Sequence, residues 1–144
     1  YVSGAINDCR YINFDNYIKV FPDAGAMLRY NGDENLHVIC NKVRDPQTGY
    51  LTGFKILNPE VIENNPDKPF VVIDDLCDGG GTFAGIASLL NEYNREKAIY
   101  VTHMVNPKGI QTLSENYDRV IITNSYKNWE NENIPNNVSV YSVI

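Results

Sequence analysis

The stretch FVVIDDLCDGGGT, residues 70–82, combines paired carboxylates with a glycine-rich turn. Backbone amides at such a turn, at the start of a helix, bind anions such as phosphate. Carboxylates instead accept hydrogen bonds from hydroxyl groups and bind Mg2+. A ligand that uses both carries a phosphate at one end and a vicinal diol at the other, as ribose 5-phosphate does. The candidate ligand-binding residues are Asp74, Asp75, Asp78, Gly79, Gly80, Gly81 and Thr82.

We expect different parts of this stretch to bind the phosphate end and the diol end of the ligand. We expect the amides of residues 78–82, together with the Thr82 hydroxyl, to wrap the phosphate. We expect Asp74 and Asp75, one sugar length away, to accept the diol and to hold a Mg2+ that the hydroxyls share. A ribose therefore separates the anion-binding amides from the carboxylates.

Two other glycine-turn motifs fit the sequence less well. Residues 79–84 match the G-x-G-x-x-A pattern of dinucleotide-binding turns. The acid that such a turn requires about twenty residues on would fall near Thr102 and His103, and the sequence has no acid there. A P-loop requires Gly-Lys-Ser/Thr, which is absent from the sequence here. A solvated strand-to-helix turn remains the plain alternative, although three adjacent glycines cost about 0.5–1 kcal/mol of backbone entropy each.

The segments around this stretch alternate between strand and helix patterns. We predict strands at residues 17–21, 36–41, 50–57, 70–73, 98–102, 119–123 and 138–143, and helices at residues 26–30, 83–97 and 107–117. This alternation predicts an α/β fold with a mostly parallel sheet flanked by helices. Ligands of such sheets bind beyond the carboxyl ends of the strands. Three polar clusters fall at such ends, at residues 22–25, 74–82 and 123–125.

The composition narrows the class of partner. A net charge of -6 argues against nucleic acid and anionic membranes as partners. No apolar run approaches the roughly 18 residues of a membrane-spanning helix. Cys9, Cys40 and Cys77 lack the spacing of a zinc site or a disulfide framework, which indicates a reducing compartment, and we expect a cytoplasmic protein.

The length is that of one domain. The chain has 144 residues, begins at Tyr1 and ends in the β-rich run VSVYSVI. We interpret residues 1–144 as a single domain of a longer protein, truncated at both ends.

The stretch at residues 70–82 resembles the phosphoribosyl pyrophosphate (PRPP) binding motif of type I phosphoribosyltransferases and PRPP synthetases. Two further stretches make the chain similar to the PRPP synthetases, or ribose-phosphate pyrophosphokinases: FPDAGA at residues 21–26 and NKVR at residues 41–44. The resemblance covers residues 17–143 and corresponds to the carboxyl-terminal half of such an enzyme. It implies a type I phosphoribosyltransferase-like fold, with helices on both faces of the sheet.

The resemblance also implies roles for individual residues. Asp23, Asp74 and Asp75 would bind Mg2+, the expected cofactor. Lys42 and Arg44 would be the catalytic residues that close over the transferring diphosphoryl group. The reaction would move the β,γ-diphosphoryl group of ATP to the 1-hydroxyl of ribose 5-phosphate and give PRPP and AMP. The expected partners are these two substrates and, as the family implies, further copies of the chain in a homo-oligomer.

Departures from the family leave alternatives open. Gly79 and Gly80 stand where the family more often has Thr or Ala, and the hairpin expected at residues 45–56 is a variant of its loop after the Lys-x-Arg segment. The chain could therefore belong to a relative that acts on a larger ribosyl phosphate. It could also be a phosphoribosyltransferase that consumes PRPP, or a catalytically silent regulatory subunit.

Overall fold

The structure, a computed structural model, describes residues 16–22, 36–77, 80–123 and 135–141. The described strands are β1 (Ile18–Phe21), β2 (His37–Arg44), β3 (Leu51–Ile56), β4 (Phe70–Cys77), β5 (Lys97–Met104), β6 (Arg119–Thr123) and β7 (Val138–Tyr141). The described helices are α1 (Glu60–Glu63), α2 (Gly81–Leu90) and α3 (Pro107–Asn116). Within these ranges, no helix has the length and apolar character needed to cross a membrane.

The seven described strands form one sheet in the order β3-β2-β1-β4-β5-β6-β7. Each neighbouring pair is parallel except β2 and β3, which form an antiparallel hairpin. Helix α2 connects β4 to β5, and α3 connects β5 to β6. This topology confirms the predicted α/β class with a mostly parallel sheet.

Both faces of the central strands are buried. Val72 of β4 and Ile99 of β5 belong to one apolar cluster with Ile86 of α2 and Leu113 of α3. Val71, which alternates with Val72 along β4, is fully buried as well. A parallel strand covered on both faces has the continuous apolar sequence seen at the start of β4.

Two strands are longer than predicted. β4 runs to Cys77 rather than ending at Ile73, because it pairs with β5 as far as the Cys77–Met104 pair. β2 runs to Arg44 rather than ending at Asn41, because its last residues pair with β3. A sequence pattern ends a strand at its first polar residues, whereas a neighbouring strand extends it.

The helix after the glycine turn is shorter than predicted. α2 ends at Leu90, a 3-10 turn covers Asn91–Tyr93, and Asn94 then adopts a left-handed conformation with φ 54°. Asparagine tolerates this conformation, so the helical path ends there. The helix predicted at residues 26–30 lies outside the described residues, and the four-residue α1 was not predicted.

Arg95 joins the turn after α2 to the loop before β4. Its guanidinium donates hydrogen bonds to the carbonyl oxygens of Ile62, Asn65 and Lys68 at 2.8–3.3 Å. The same group lies 5.4 Å from the centre of the Phe70 ring, within the range of cation–π attraction. This charged residue therefore holds the amino end of β4 in place.

Candidate functional site

The carboxyl edge of the sheet contains a switch point between β1 and β4. From β1 the chain continues to β2 on one side, whereas β4 leads through α2 to β5 on the other side. Ligands of open parallel sheets bind at such a point. Asp74 lies in the carboxyl half of β4, and residues 80–82 follow that strand. Lys42 and Arg44 lie at the carboxyl end of β2, on the other side of the switch point.

The strands β2 and β4 flank β1 and extend beyond it. Val20 of β1 pairs with Val38 of β2 and with Val72 of β4, so the latter two lie at one level. β1 ends one residue later, whereas β2 continues to Arg44 and β4 to Cys77. At ~3.3 Å per residue, the flanking strands extend roughly 13–17 Å further than β1, and about 10 Å separates them where β1 ends. The carboxyl ends of β2 and β4 therefore both lie beyond the end of β1.

The paired acids lie inside a strand rather than at its end. The sequence places Asp74 and Asp75 where β4 was predicted to stop, but both belong to β4, and Asp74 pairs with Val101 of β5. The ladder continues past the acids, and the Val105 amide donates to the carbonyl of Cys77 at 3.1 Å. The Asp74 side chain is half-buried. A partly solvated carboxylate on a fixed strand can accept hydroxyl groups or bind a cation.

Some of the predicted site lies outside the described residues. These residues are Asp23, Asp78 and Gly79. Of the polar cluster predicted at residues 123–125, only Thr123 is described. It is buried, and its hydroxyl donates to the carbonyl of Thr102 inside the sheet. The described hydrogen bond of the Thr123 hydroxyl therefore joins β6 to β5 within the sheet.

The residue before α2 provides no side-chain cap to the helix. Gly80 precedes the helix in a left-handed conformation with φ 85°, and its carbonyl accepts the amide of Ala84 at 2.9 Å. Glycine has no side chain with which to bond the amides of the first turn, so that turn keeps its donors. Gly81 is exposed, and Thr82, with its hydroxyl, is half-exposed in the same turn.

Close packing against α3 also requires the glycine at position 80. A Cβ at Gly80 would lie 2.9 Å from the Thr112 Cβ and 3.5 Å from the Gly109 carbonyl oxygen. At Gly81, by contrast, a Cβ would have no described neighbour within 4 Å. The two glycines thus have different roles, since one seats the turn on α3 and the other leaves the backbone open.

Tyr117 supports the first turn of α2 from within the core. Its hydroxyl donates to the carbonyl of Phe83 at 2.6 Å, and the residue is buried. Burial raises the pKa of Tyr117 well above its usual value, with smaller contributions from Cys40 and Cys77. The phenol is therefore a neutral structural donor. No sequence pattern indicates this bond, because the two residues are far apart along the chain.

Lys42 and Arg44 are exposed residues of the β2–β3 hairpin. The Cα partner of Lys42 is Phe54, and a register shift between Val43 and Arg44 bends the ribbon near its tip. The guanidinium of Arg44 donates to the Gly49 carbonyl at 3.1 Å. The hairpin thus presents two cations at the same edge of the sheet as Asp74.

Hydrogen bonds within the hairpin fix its tip. The Asp45 carboxylate accepts the amides of Gln47 and Thr48 at 2.7 and 3.2 Å. The Asp45 amide donates to the Tyr50 carbonyl at 2.9 Å, and Gly49 adopts φ 75°. The side-chain bonds of Asp45 form an Asx turn, which aspartate favours, and Gly49 supplies the left-handed residue of the tip. The structure thus confirms a hairpin after Arg44, with its tip between β2 and β3.

The donors at this edge suit Mg2+ better than a transition metal. Mg2+ is usually held by one or two carboxylates together with water and substrate oxygens. Within the described ranges, no group of three or more His, Cys, Asp or Glu residues is placed to hold a metal. Asp74 supplies a hard oxygen donor, and His103 is exposed near the carboxyl end of β5.

The sheet order, the switch point and the glycine turn before α2 define an α/β protein with a phosphoribosyltransferase-like fold. Comparison of sequences then gives the family. The chain is 36% identical over 122 residues to a ribose-phosphate pyrophosphokinase of Nostoc sp., which covers 82% of this chain and 36% of the relative. It is 32% identical over 97 residues to ribose-phosphate pyrophosphokinase 3, chloroplastic, of Oryza sativa subsp. japonica, covering 65% of this chain and 22% of the relative.

A ribose-phosphate pyrophosphokinase of Ralstonia nicotianae is 25% identical over 123 residues, covering 83% of this chain and 38% of the relative. The chain is therefore related to the ribose-phosphate pyrophosphokinases, as the resemblance predicted, and the matches support a relationship to their carboxyl-terminal portion. It spans about a third of the length of most of the curated relatives that it matches. No protein-family model matches the chain.

Proposed function

We propose that this chain forms the ribose 5-phosphate-binding part of a ribose-phosphate pyrophosphokinase. In this proposal, the protein that contains it transfers the β,γ-diphosphoryl group of ATP to the ribose 1-hydroxyl and yields PRPP and AMP. One observation carries the proposal: Asp74 and the glycine start of α2 belong to a single strand–turn–helix unit at the switch point of the sheet. The names of the relatives support the same reaction.

The start of α2 holds the 5-phosphate in this proposal. The amides of Gly81 and Thr82 belong to the first turn, where the helix dipole favours a negative charge. The open space around Gly81 lets a phosphate approach the backbone. The Thr82 hydroxyl adds a further donor, so backbone amides and a hydroxyl together bind the phosphate.

The carboxylates hold the sugar hydroxyls. Asp74 and Asp75 lie on β4 just before the phosphate turn, and we assign to them the diol and the Mg2+. When bound, Mg2+ neutralises charge on the phosphate oxygens. Asp23, which comes two residues after β1 in the sequence, is proposed as a further ligand.

Lys42 and Arg44 stabilise the transferring group in this proposal. Phosphoryl-type transfers depend on positioning and charge neutralisation, and they need no protein nucleophile. The exposed lysine supplies a compact charge, and the arginine supplies a planar fork that matches phosphate oxygens. The buried Cys40 thiol, whose pKa burial raises to about 12, stays protonated and takes no part.

Substitution of Lys42 tests the reaction directly. In the full-length protein that contains this chain, AMP should form from ATP only when a ribosyl phosphate is present. Lys42→Ala should lower kcat by about 100-fold, as loss of a preorganised charge does, with little change in the affinity for ribose 5-phosphate. AMP can be measured by a coupled assay, and affinity by calorimetry.

A second lysine of the same hairpin provides the matched control. Lys55 is exposed on β3 and pairs with Asn41, so Lys55→Ala removes the same charge from the neighbouring strand. It should leave kcat within about twofold, since an exposed charge away from the site contributes little. Equal losses in both variants, or pyrophosphate release from PRPP that depends on a nucleobase, would refute the proposal.

A further inference from the structure

The ring of Phe54 on β3 lies directly on Gly85 of α2. A Cβ at Gly85 would be 2.5 Å from the Phe54 Cε2 and 2.9 Å from its Cδ2, so glycine alone allows the ring to sit there. Phe54 is partly buried against the apolar core. This contact joins the β2–β3 hairpin to the helix whose start faces the switch point.

The contact with the Phe54 ring explains why residue 85 is glycine. It lies in the interior of α2, where glycine is less favourable than alanine, and it is not among the described glycines with a left-handed backbone. The backbone conformation therefore does not require glycine. What requires it is the aromatic ring that occupies the place of a side chain.

The hairpin depends on this contact for its position. Beyond the end of β1, the residues of β2 up to Arg44 pair with β3 in the described sheet, and β3 is the last strand of that sheet. A two-stranded ribbon is only marginally stable by itself, so packing must fix its direction. Phe54 and Ile56 of β3 both pack against the core, and Phe54 is the Cα partner of Lys42.

We propose that Phe54 is a positioning residue, and that its contact with Gly85 sets the distance between Lys42 and the start of α2. This inference rests on the proposed function, in which Lys42 acts on the diphosphoryl group and the start of α2 binds the 5-phosphate. Gly85 lies one helical turn after that start. A shift of the ring therefore moves the cations relative to the bound sugar phosphate.

The variant Gly85→Ala tests the contact. The new methyl group would displace the ring by about 1 Å, and misplacements of this size can lower a rate by up to about 100-fold. We expect kcat in the full-length protein to fall at least tenfold, while the KM for ribose 5-phosphate changes less than twofold. The double variant Phe54→Leu with Gly85→Ala, which roughly conserves volume, should recover most of kcat. Ser88→Ala, at an exposed position of the same helix, should match the wild type.

A second measurement does not depend on catalysis. Amide hydrogen exchange in residues 42–44 and 51–54 should speed up in Gly85→Ala and in the single variant Phe54→Leu, which removes the contact without a clash. Unchanged exchange and unchanged kcat in these variants would overturn the proposal. Equal losses of kcat and of sugar-phosphate affinity would also overturn it, because they indicate a general structural role. If the wild type forms no AMP, the proposed function fails, whereas the exchange rates still decide the role of Phe54.

Discussion

The substitution Gly80→Ala tests how the glycine turn is built. Gly80 has φ 85°, and a Cβ at this position would lie 2.9 Å from the Thr112 Cβ and 3.0 Å from its Cγ2. The substitution therefore acts in two ways. It places alanine in a left-handed conformation, and it forces α3 away from the turn.

The expected loss in the free energy of unfolding combines these two effects. A left-handed conformation costs a residue other than glycine roughly 1–2 kcal/mol. Adding a methyl group to a packed contact costs about 1–3 kcal/mol when backbone has to shift. We therefore expect Gly80→Ala to lower the free energy of unfolding by about 2–4 kcal/mol, a large part of the roughly 5–15 kcal/mol of a typical domain.

Urea unfolding followed by circular dichroism measures this change. Gly81→Ala is the matched control, because its Cβ meets no described atom within 4 Å, and it should stay within about 1 kcal/mol of the wild type. Gly80→Asn separates the two effects, since asparagine tolerates the left-handed conformation but still carries a Cβ. Its loss should be smaller than that of alanine. If Gly80→Ala and Gly81→Ala unfold at the same urea concentration, the described turn is wrong.

Two further predictions concern the buried groups beneath the site. Tyr117→Phe removes the hydroxyl that donates to the Phe83 carbonyl at 2.6 Å, and urea unfolding should show a loss of about 0.5–1.5 kcal/mol, the net value of one hydrogen bond; an unchanged midpoint would contradict the bond. Burial raises the pKa of the Cys40 thiol from 9.0 to about 12. The thiol therefore loses its proton at a lower pH in the unfolded chain than in the folded protein. As a result, the free energy of unfolding should fall as the pH rises from 9.0 to about 12. Cys40→Ala should show a shallower fall, and identical pH profiles would refute the assignment.

The sequence predicts the framework well because local patterns determine it. The strand at residues 119–123 has the predicted bounds, and the glycine turn does precede a helix. The end of β4 could not be predicted, because the ladder with β5 carries that strand past Asp74. Polar residues end a strand in a sequence pattern, but pairing decides where it ends in the fold.

Contacts between segments that are distant along the chain could not be predicted from the sequence. The glycine at position 80 was interpreted only as part of a phosphate turn, yet α3 also requires it through Thr112. Nothing in the pattern around Phe54 or Gly85 shows that they meet, since 30 residues separate them. Such contacts depend on how the hairpin packs on α2, which local periodicity does not determine.

Calorimetry with ribose 5-phosphate and Mg2+ tests the central claim most directly. The chain should bind ribose 5-phosphate in the presence of Mg2+, since the start of α2 and the acids of β4 lie at one edge of the sheet. The double variant Asp74→Asn with Asp75→Asn should weaken this binding at least tenfold, while inorganic phosphate should bind both proteins equally. Equal affinity of the wild type and the double variant for ribose 5-phosphate, or no binding to either, would contradict the account.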